Sequence, residues 1–350
     1  MTATNSEALV SQVVVIGGGQ AGLAAGYYLR RAKLDFVILD AQPEPGGAWP
    51  HVWDSLRLFS PARHSSLPGR PMPAFREGYP PARHVVEYLT AYEKRYELPI
   101  QRPVRVRSVR RAVDGLRVET DLGDWTASAV ISATGTWGRP FIPTIPGTFT
   151  GRQLHTVEYR GPEQFEGRRV VVVGGGNSGA QIAADLAGHV DLTWATARPP
   201  RYLPDEIDGK ALFDIATTRP GGIGRLGDIV AVPPVRAARD RGLLAARPMF
   251  DRFDGPDVVW ADGTRHPVDA VIWCTGFRPA LGHLSPLGLR AADGLIPTTG
   301  TRAVDEPRLH LLGYGNWTGA ASATLIGVGR TAKAAVAEIA NDLSHHPSSC

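Results

Sequence analysis

Two stretches of this chain carry the residue types and spacing that bind a pyrophosphate. SQVVVIGGGQAGLAAGYYLRR at residues 11–31 and RRVVVVGGGNSGAQIAADLA at 168–187 each run from a β-branched apolar segment through a glycine-rich turn into a small-residue helix. Backbone amides and the positive helix end then converge on an anion. The first copy supplies Gly17, Gly19 and Gly22, with Gln20 and Ala21 opening the helix. The second supplies Gly174, Gly176 and Gly179, with Asn177 and Ser178 in the same places. With 40 glycines in 350 residues a bare match would carry little weight. The strand before each turn and the helix after it supply the weight, and two bound dinucleotides are expected.

The residues downstream of each turn distinguish the two ligands. LDFVILD ends at Asp40, 23 residues after Gly17, where a carboxylate can accept hydrogen bonds from ribose hydroxyls, with Ala41 next to it. The same offset from Gly174 falls on Ala197, followed by Arg198 and Arg201. Guanidinium groups in place of an acid suit a 2′-phosphate, so the second site is expected to take NADPH.

The duplication extends past the glycines. LRVETDLGDWTASAVISATGTWGRP (116–140) and DVVWADGTRHPVDAVIWCTGFRP (257–279) each read as two short strands and then an apolar strand ending in Thr-Gly. Ala133, Thr134 and Gly135 close the first unit; Cys274, Thr275 and Gly276 close the second. The expected fold is α/β, with two Rossmann-like dinucleotide-binding domains, each a three-layer ββα core with a small antiparallel meander.

These features, together with Gly46, Gly47, Ala48 and Trp49 (GGAW) and FTGRQLHTVEY at 149–159, resemble the class B flavoprotein monooxygenases. That family includes flavin-containing and Baeyer–Villiger monooxygenases, and its short bacterial ArsO-type oxidoreductases are the most alike. Its FxGxxxHxxxY fingerprint matches at Phe149, Gly151, His155 and Tyr159. The resemblance implies FAD at the first site, NADPH at the second, and an oxygenated flavin as the reagent. It also implies that GGAW walls the flavin and that the return segment at Gly315, Asn316 and Trp317 contacts it, although the family's Gly-Asp is here Gly-Asn. Two departures stand out. Arg160 comes after the fingerprint where Pro or Asp is usual, and Phe59 occupies the position of an asparagine near the reactive flavin carbon.

Two cysteines, Cys274 and Cys350, cannot form the CxxC that flavin-linked disulfide reductases require. Cys274 ends an apolar strand and is expected to be a packed thiol. No metal site is expected, since His345, His346 and Cys350 lack a fourth ligand and a scaffold. No apolar run reaches membrane-spanning length, and a cytoplasmic location without a membrane or nucleic-acid partner is expected. RPVRVRSVRR at 102–111 reads as a half-exposed strand with a charged outer face. Its sharper alternative is a dock for an acidic electron carrier.

The resemblance implies a discontinuous FAD-binding domain, residues 1–145 and 277–350, with an NADPH-binding domain at 146–276 between its parts, and turn-rich linkers at 144–152 and after Gly276 agree with that order. Residues 199–250 are expected to be an insertion overhanging the cleft, where Asp205, Glu206 and Asp208 are possible general acids. The reading is an FAD-dependent oxidoreductase reduced by NADPH, acting with O2 on a small-molecule substrate, with no assigned catalytic side chain. A reductase serving a quinone, ferric complex or small redox protein is the alternative. A non-catalytic flavin sensor comes third.

Overall fold

The computed structural model describes residues 8–205, 207, 211, 214 and 229–345. The chain opens with strand β1 (Leu9–Ile16), helix α1 (Gln20–Arg31), β2 (Phe36–Leu39), α2 (Ala82–Arg95), β3 (Ile100–Gln101), β4 (Val106–Ala112), β5 (Gly115–Thr120) and β6 (Trp125–Ser132). A second series comes next: β7 (Arg152–His155), β8 (Arg169–Val173), α3 (Asn177–Leu186), β9 (Asp191–Thr196), α4 (Pro233–Asp240), β10 (Ala246–Pro248), β11 (Arg252–Asp254), β12 (Asp257–Val259), β13 (Arg265–Pro267) and β14 (Ala270–Trp273). The last elements are β15 (Thr298–Thr299), β16 (Arg302–Ala303), β17 (Leu309–Leu311) and α5 (Leu325–His345).

Two sheets result. In the first, β1 lies between parallel neighbours β2 and β6, and β17 joins β6 in parallel from the far end of the chain. The second runs β10-β9-β8-β14-β7, every pairing parallel. Parallel strands are covered on both faces, so their sequences are continuously apolar and their side chains divide by alternation. Val13 and Val15 pack under α1, α2 and α5, whereas Val14 and Ile16 face the core shared with β4, β5 and residues 281–296. Val170 and Val172 likewise face α3 and α4, while Val171 and Val173 meet Phe250, Phe253 and Trp260 beside the β11–β13 meander. Each sheet is thus the middle of three layers, as the duplication predicts.

The stretch 199–250 differs from its expectation as a simple overhang. Its final strand β10 pairs with β9 at Ala246–Trp194, and α4 packs against α3, so residues 229–250 extend the second sheet unit. The arginine-rich segment keeps the half-exposed pattern its alternation suggests, with Val104 and Val109 buried and Arg105, Arg107, Arg110 and Arg111 exposed. Arg102 departs from that pattern, its side chain largely enclosed between Asp40 and Glu93, while the exposed Arg111 pairs with Glu306. No helix among the described residues is long and apolar enough to cross a membrane.

Candidate functional site

The two glycine turns have the same internal geometry. A Cβ on Gly22 would sit 1.9 Å from the Gly17 carbonyl oxygen, and one on Gly179 would sit 2.0 Å from that of Gly174. The third glycine of each turn is therefore required by helix-on-strand packing. Gly17 (φ 106°) and Gly174 (φ 134°) adopt backbone that only glycine holds without strain, pressed against the Ala133 and Cys274 carbonyls that end β6 and β14. The middle glycines are different. A Cβ on Gly19 would meet only the Gly47 Cα at 3.6 Å, and one on Gly176 would meet nothing within 4 Å; both have negative φ. Nothing among the described residues demands glycine at these two positions. Each is a cradle that a side chain would fill, which fits a dinucleotide pyrophosphate lying against the backbone. Neither α1 nor α3 has an acidic residue in its first turn, so both positive ends stay available to an anion.

A cleft of about 540 Å3 opens in front of the first turn. Of the residues expected at the first site, Gly17, Gly19, Gln20, Ala21, Asp40, Ala41, Gly47, Ala48, Trp49, Ala133, Thr134 and Gly135 line it. Gly22 and Gly46 stand behind this lining. Gln20 ties three elements together: its Nε2 donates to the Ala323 carbonyl at 2.7 Å, and its Oε1 accepts from Trp49 Nε1 at 3.2 Å. Asp40, 4% exposed, accepts from Arg102 Nε at 2.9 Å through Oδ2 and from the Gln42 amide at 3.3 Å through Oδ1. Arg102 in turn grips Glu93 with both terminal nitrogens, at 3.1 and 2.9 Å. The carboxylate is thereby oriented, and a Cβ on Gly18 would strike it at 2.5 Å.

Several cleft residues carry no motif and were not legible in the sequence. Val104, Arg105 and Val106 line one side, Gly282 and His283 another. Trp137, also in the lining, stacks on His51 with centroids 3.9 Å apart and planes 7° apart. Burial, then the nearby Arg160 charge, lowers the His51 pKa and keeps that ring neutral.

Gly315, Asn316 and Trp317, the expected flavin contacts of the return segment, lie outside the cleft lining. Trp317 donates to the Ile296 carbonyl at 3.1 Å and packs beside Tyr314. The return segment reaches the cleft through Gly313 and Ala323 instead. Asp205 is likewise no general acid: it is paired with Arg239 at 2.9 Å and Arg236 at 3.3 Å, and the Arg239 hydrogen bond lowers its pKa. Glu206 and Asp208, like His346 and Cys350, lie outside the described residues.

At the second turn, a Cβ on Gly175 would lie 3.6 Å from the Thr196 side chain and 3.7 Å from the Arg198 carbonyl oxygen, and Arg198 and Arg201 are both exposed. The Asn177 side chain accepts from the Val230 amide at 2.9 Å, joining the helix start to the segment before α4. Cys274 is half-buried, and burial pushes its thiol pKa up. The fingerprint histidine supports this site from behind. His155 donates through Nε2 to the Gly276 carbonyl at 2.9 Å, while Nδ1 accepts from Thr156 Oγ1 at 3.1 Å. Tyr159 donates to Asp185 at 2.7 Å, and Arg160 reaches the His51 carbonyl at 3.5 Å, spanning from the fingerprint to the first unit.

Two helix-backed parallel sheets with paired glycine cradles define a Rossmann-type oxidoreductase. Residues 14–201 match the family described as pyridine nucleotide-disulphide oxidoreductase, and the chain belongs to that family. It is 51% identical to a flavin-containing monooxygenase from Stenotrophomonas maltophilia, with a TM-score of 0.90 over 95% of this chain and 99% of that one. CzcO of Bacillus subtilis, an uncharacterized oxidoreductase, is 30% identical over 340 residues, 91% of this chain and 96% of its own length. The indole-3-pyruvate monooxygenase YUCCA1 of Oryza sativa is 33% identical over 217 residues, 60% of this chain and 53% of its own. Flavin monooxygenases are thus its structural neighbours, and a flavin-dependent oxidoreductase is the class they support.

Proposed function

We propose that this chain binds FAD in the first cleft and NADPH at the second turn, and oxygenates a small substrate with O2. The observation that carries this reading is the pair of middle glycines, Gly19 and Gly176, whose emptiness serves a ligand rather than the protein. The first unit, 1–145 with 277–350, holds FAD; 146–276 holds NADPH. Gly17 through Gly22 and Gly46 to Ala48 receive the flavin pyrophosphate, Asp40 and Ala41 the adenosine ribose, and Trp49 with Ala133 to Gly135 wall the cleft. Gly174 through Gly179, Arg198, Arg201 and Cys274 to Gly276 receive NADPH. When bound, FAD supplies the hydride acceptor and the reaction with O2. The protein's part is to position both dinucleotides and keep water out, with Trp49 and Trp137, the latter stacked on His51, as aromatic lining of the cleft.

One observation favours the reductase reading. Phe59 packs on the second unit's apolar core and offers no polar group to a flavin. The two readings separate in one experiment: supply NADPH, O2 enriched in the heavy isotope and a small aryl thioether, and measure label in the product against NADPH consumed. Label incorporated in proportion to NADPH supports oxygenation. NADPH consumed without label, together with fast reduction of an added quinone or ferric complex, replaces it with the reductase.

A further inference from the structure

His283 opens the turn Gly282–Leu287, is 8% exposed, and lines the cleft beside Thr134, Gly135 and Ala280. It heads a chain of four hydrogen bonds. His283 Nε2 lies 3.1 Å from Ser132 Oγ, which lies 2.9 Å from Tyr314 Oη. Tyr314 Oη lies 2.8 Å from Thr134 Oγ1, and Thr134 donates to the Ala280 carbonyl at 2.8 Å. Each hydroxyl owns one hydrogen, and the final carbonyl can only accept, so the direction of the whole chain is fixed. Thr134 spends its hydrogen on Ala280, Tyr314 spends its own on Thr134, and Ser132 spends its own on Tyr314. His283 must therefore donate from Nε2.

Burial, reinforced by Arg290, lowers the His283 pKa to about 4, so the ring is neutral and carries one N–H. With that hydrogen on Nε2, Nδ1 is a bare lone pair, and it has no partner among the described residues. A neutral acceptor repels phosphate oxygens and accepts from hydroxyls. We propose that His283 is a cofactor-positioning residue whose Nδ1 accepts a hydrogen bond from a sugar hydroxyl of the flavin dinucleotide in the cleft. This role rests on the assignment of FAD to that cleft. The Ser132, Tyr314 and Thr134 hydroxyls set the tautomer that makes the acceptor.

The test is flavin fluorescence titration of apoprotein with FAD and with FAD analogues each lacking one ribose or ribityl hydroxyl. Losing one hydrogen bond is expected to raise the Kd of His283→Phe for FAD about tenfold. For one deoxy analogue, wild type and variant should bind alike, because the partner hydroxyl is already gone. Ser132→Ala, which frees the ring to place its hydrogen on Nδ1, should raise the FAD Kd by several-fold and serves if the Phe variant does not fold. Wild type that binds no FAD overturns the flavoprotein reading itself. Wild type that binds FAD, with His283→Phe and Ser132→Ala unchanged in Kd or equally weakened for every analogue, overturns the role of His283 alone.

Discussion

Gly19 and Gly22 stand three residues apart in one turn under different constraints. Gly22→Ala drives a Cβ to within 1.9 Å of the Gly17 carbonyl oxygen, so helix and strand must separate whether or not a ligand is present. We expect the apoprotein to lose about 1–3 kcal/mol, read as a lower thermal midpoint. At Gly19 a Cβ would meet only the Gly47 Cα at 3.6 Å, so the Gly19→Val apoprotein should melt near wild type while retaining no yellow colour through gel filtration. A yellow Gly19→Val protein would refute the pyrophosphate assignment. Arg198, exposed after β9, would under the proposed function be a residue of the second kind, kept for the 2′-phosphate of NADPH. A charge-assisted contact contributes about 1.5–3 kcal/mol, so Arg198→Ala should raise the Kd for NADPH roughly 10- to 150-fold and leave NADH unchanged. Equal Kd values for the two coenzymes in wild type, by stopped-flow reduction, would remove the assignment. Motif glycines and Asp40 were legible in the sequence because local spacing sets their roles. Arg102 was not: its partners Asp40 and Glu93 come from other elements, and alternation alone gives it an outward face.

Elements built from continuous apolar runs declare themselves, and β1, β6, β8 and β14 fall where β-branched residues lead into Gly-rich or Thr-Gly turns. The return segment is strand, turn and helix in sequence and structure alike, yet its cleft residues are Gly313 and Ala323 rather than Gly315–Trp317. The cause is a 3-10 turn, Gly315–Thr318, that rotates Trp317 onto the Ile296 carbonyl, a choice set by packing far away in sequence. After it, Thr324 caps α5: its hydroxyl accepts from the Gly327 amide at 3.0 Å and donates to the Ala321 carbonyl at 2.8 Å. The residue before the cap, Ala323, lines the cleft and receives the Gln20 hydrogen bond. Thr324→Ala should therefore cost about 1 kcal/mol in thermal or denaturant unfolding, and weaken FAD as well. Lost stability with unchanged FAD Kd would show that the helix start does not shape the cleft.

Across the whole molecule, burial of neutral rings sets the response to acid. His283 and His310 both have pKa values lowered from 6.5 to about 4, chiefly by desolvation. Between about pH 6.5 and 4 the unfolded chain binds protons that the folded chain refuses. Their stabilisation is complete above 6.5, falls as pH falls through this window, and levels off near 4. Denaturant unfolding at several pH values checks this, and His310→Phe should flatten the slope. A second whole-molecule property is the join between the two sheet units. Trp53, from the segment after GGAW, is 4% exposed and sits in the core around α3 and α4, with Leu56 and Phe59 against the same core. Its ring meets Tyr159 edge-on at 6.4 Å. Beside it, the Gln181 side chain exchanges two hydrogen bonds with the Arg57 backbone, at 3.1 and 3.2 Å. The linkers also pair, Phe141 N donating to Gly276 O at 3.0 Å and Ala280 N to Gly135 O at 3.0 Å. A shared apolar plug makes unfolding of one unit expose the core of the other, so wild type should melt in a single calorimetric transition. Trp53→Ala removes the plug at a cost of about 3–5 kcal/mol and should split that transition in two. Trp53→Phe keeps an aromatic ring and deletes an indole N–H that has no partner among the described residues, so it should stay cooperative with a much smaller loss. Two transitions in wild type, or one in Trp53→Ala, would mean that the coupling runs through the linkers instead.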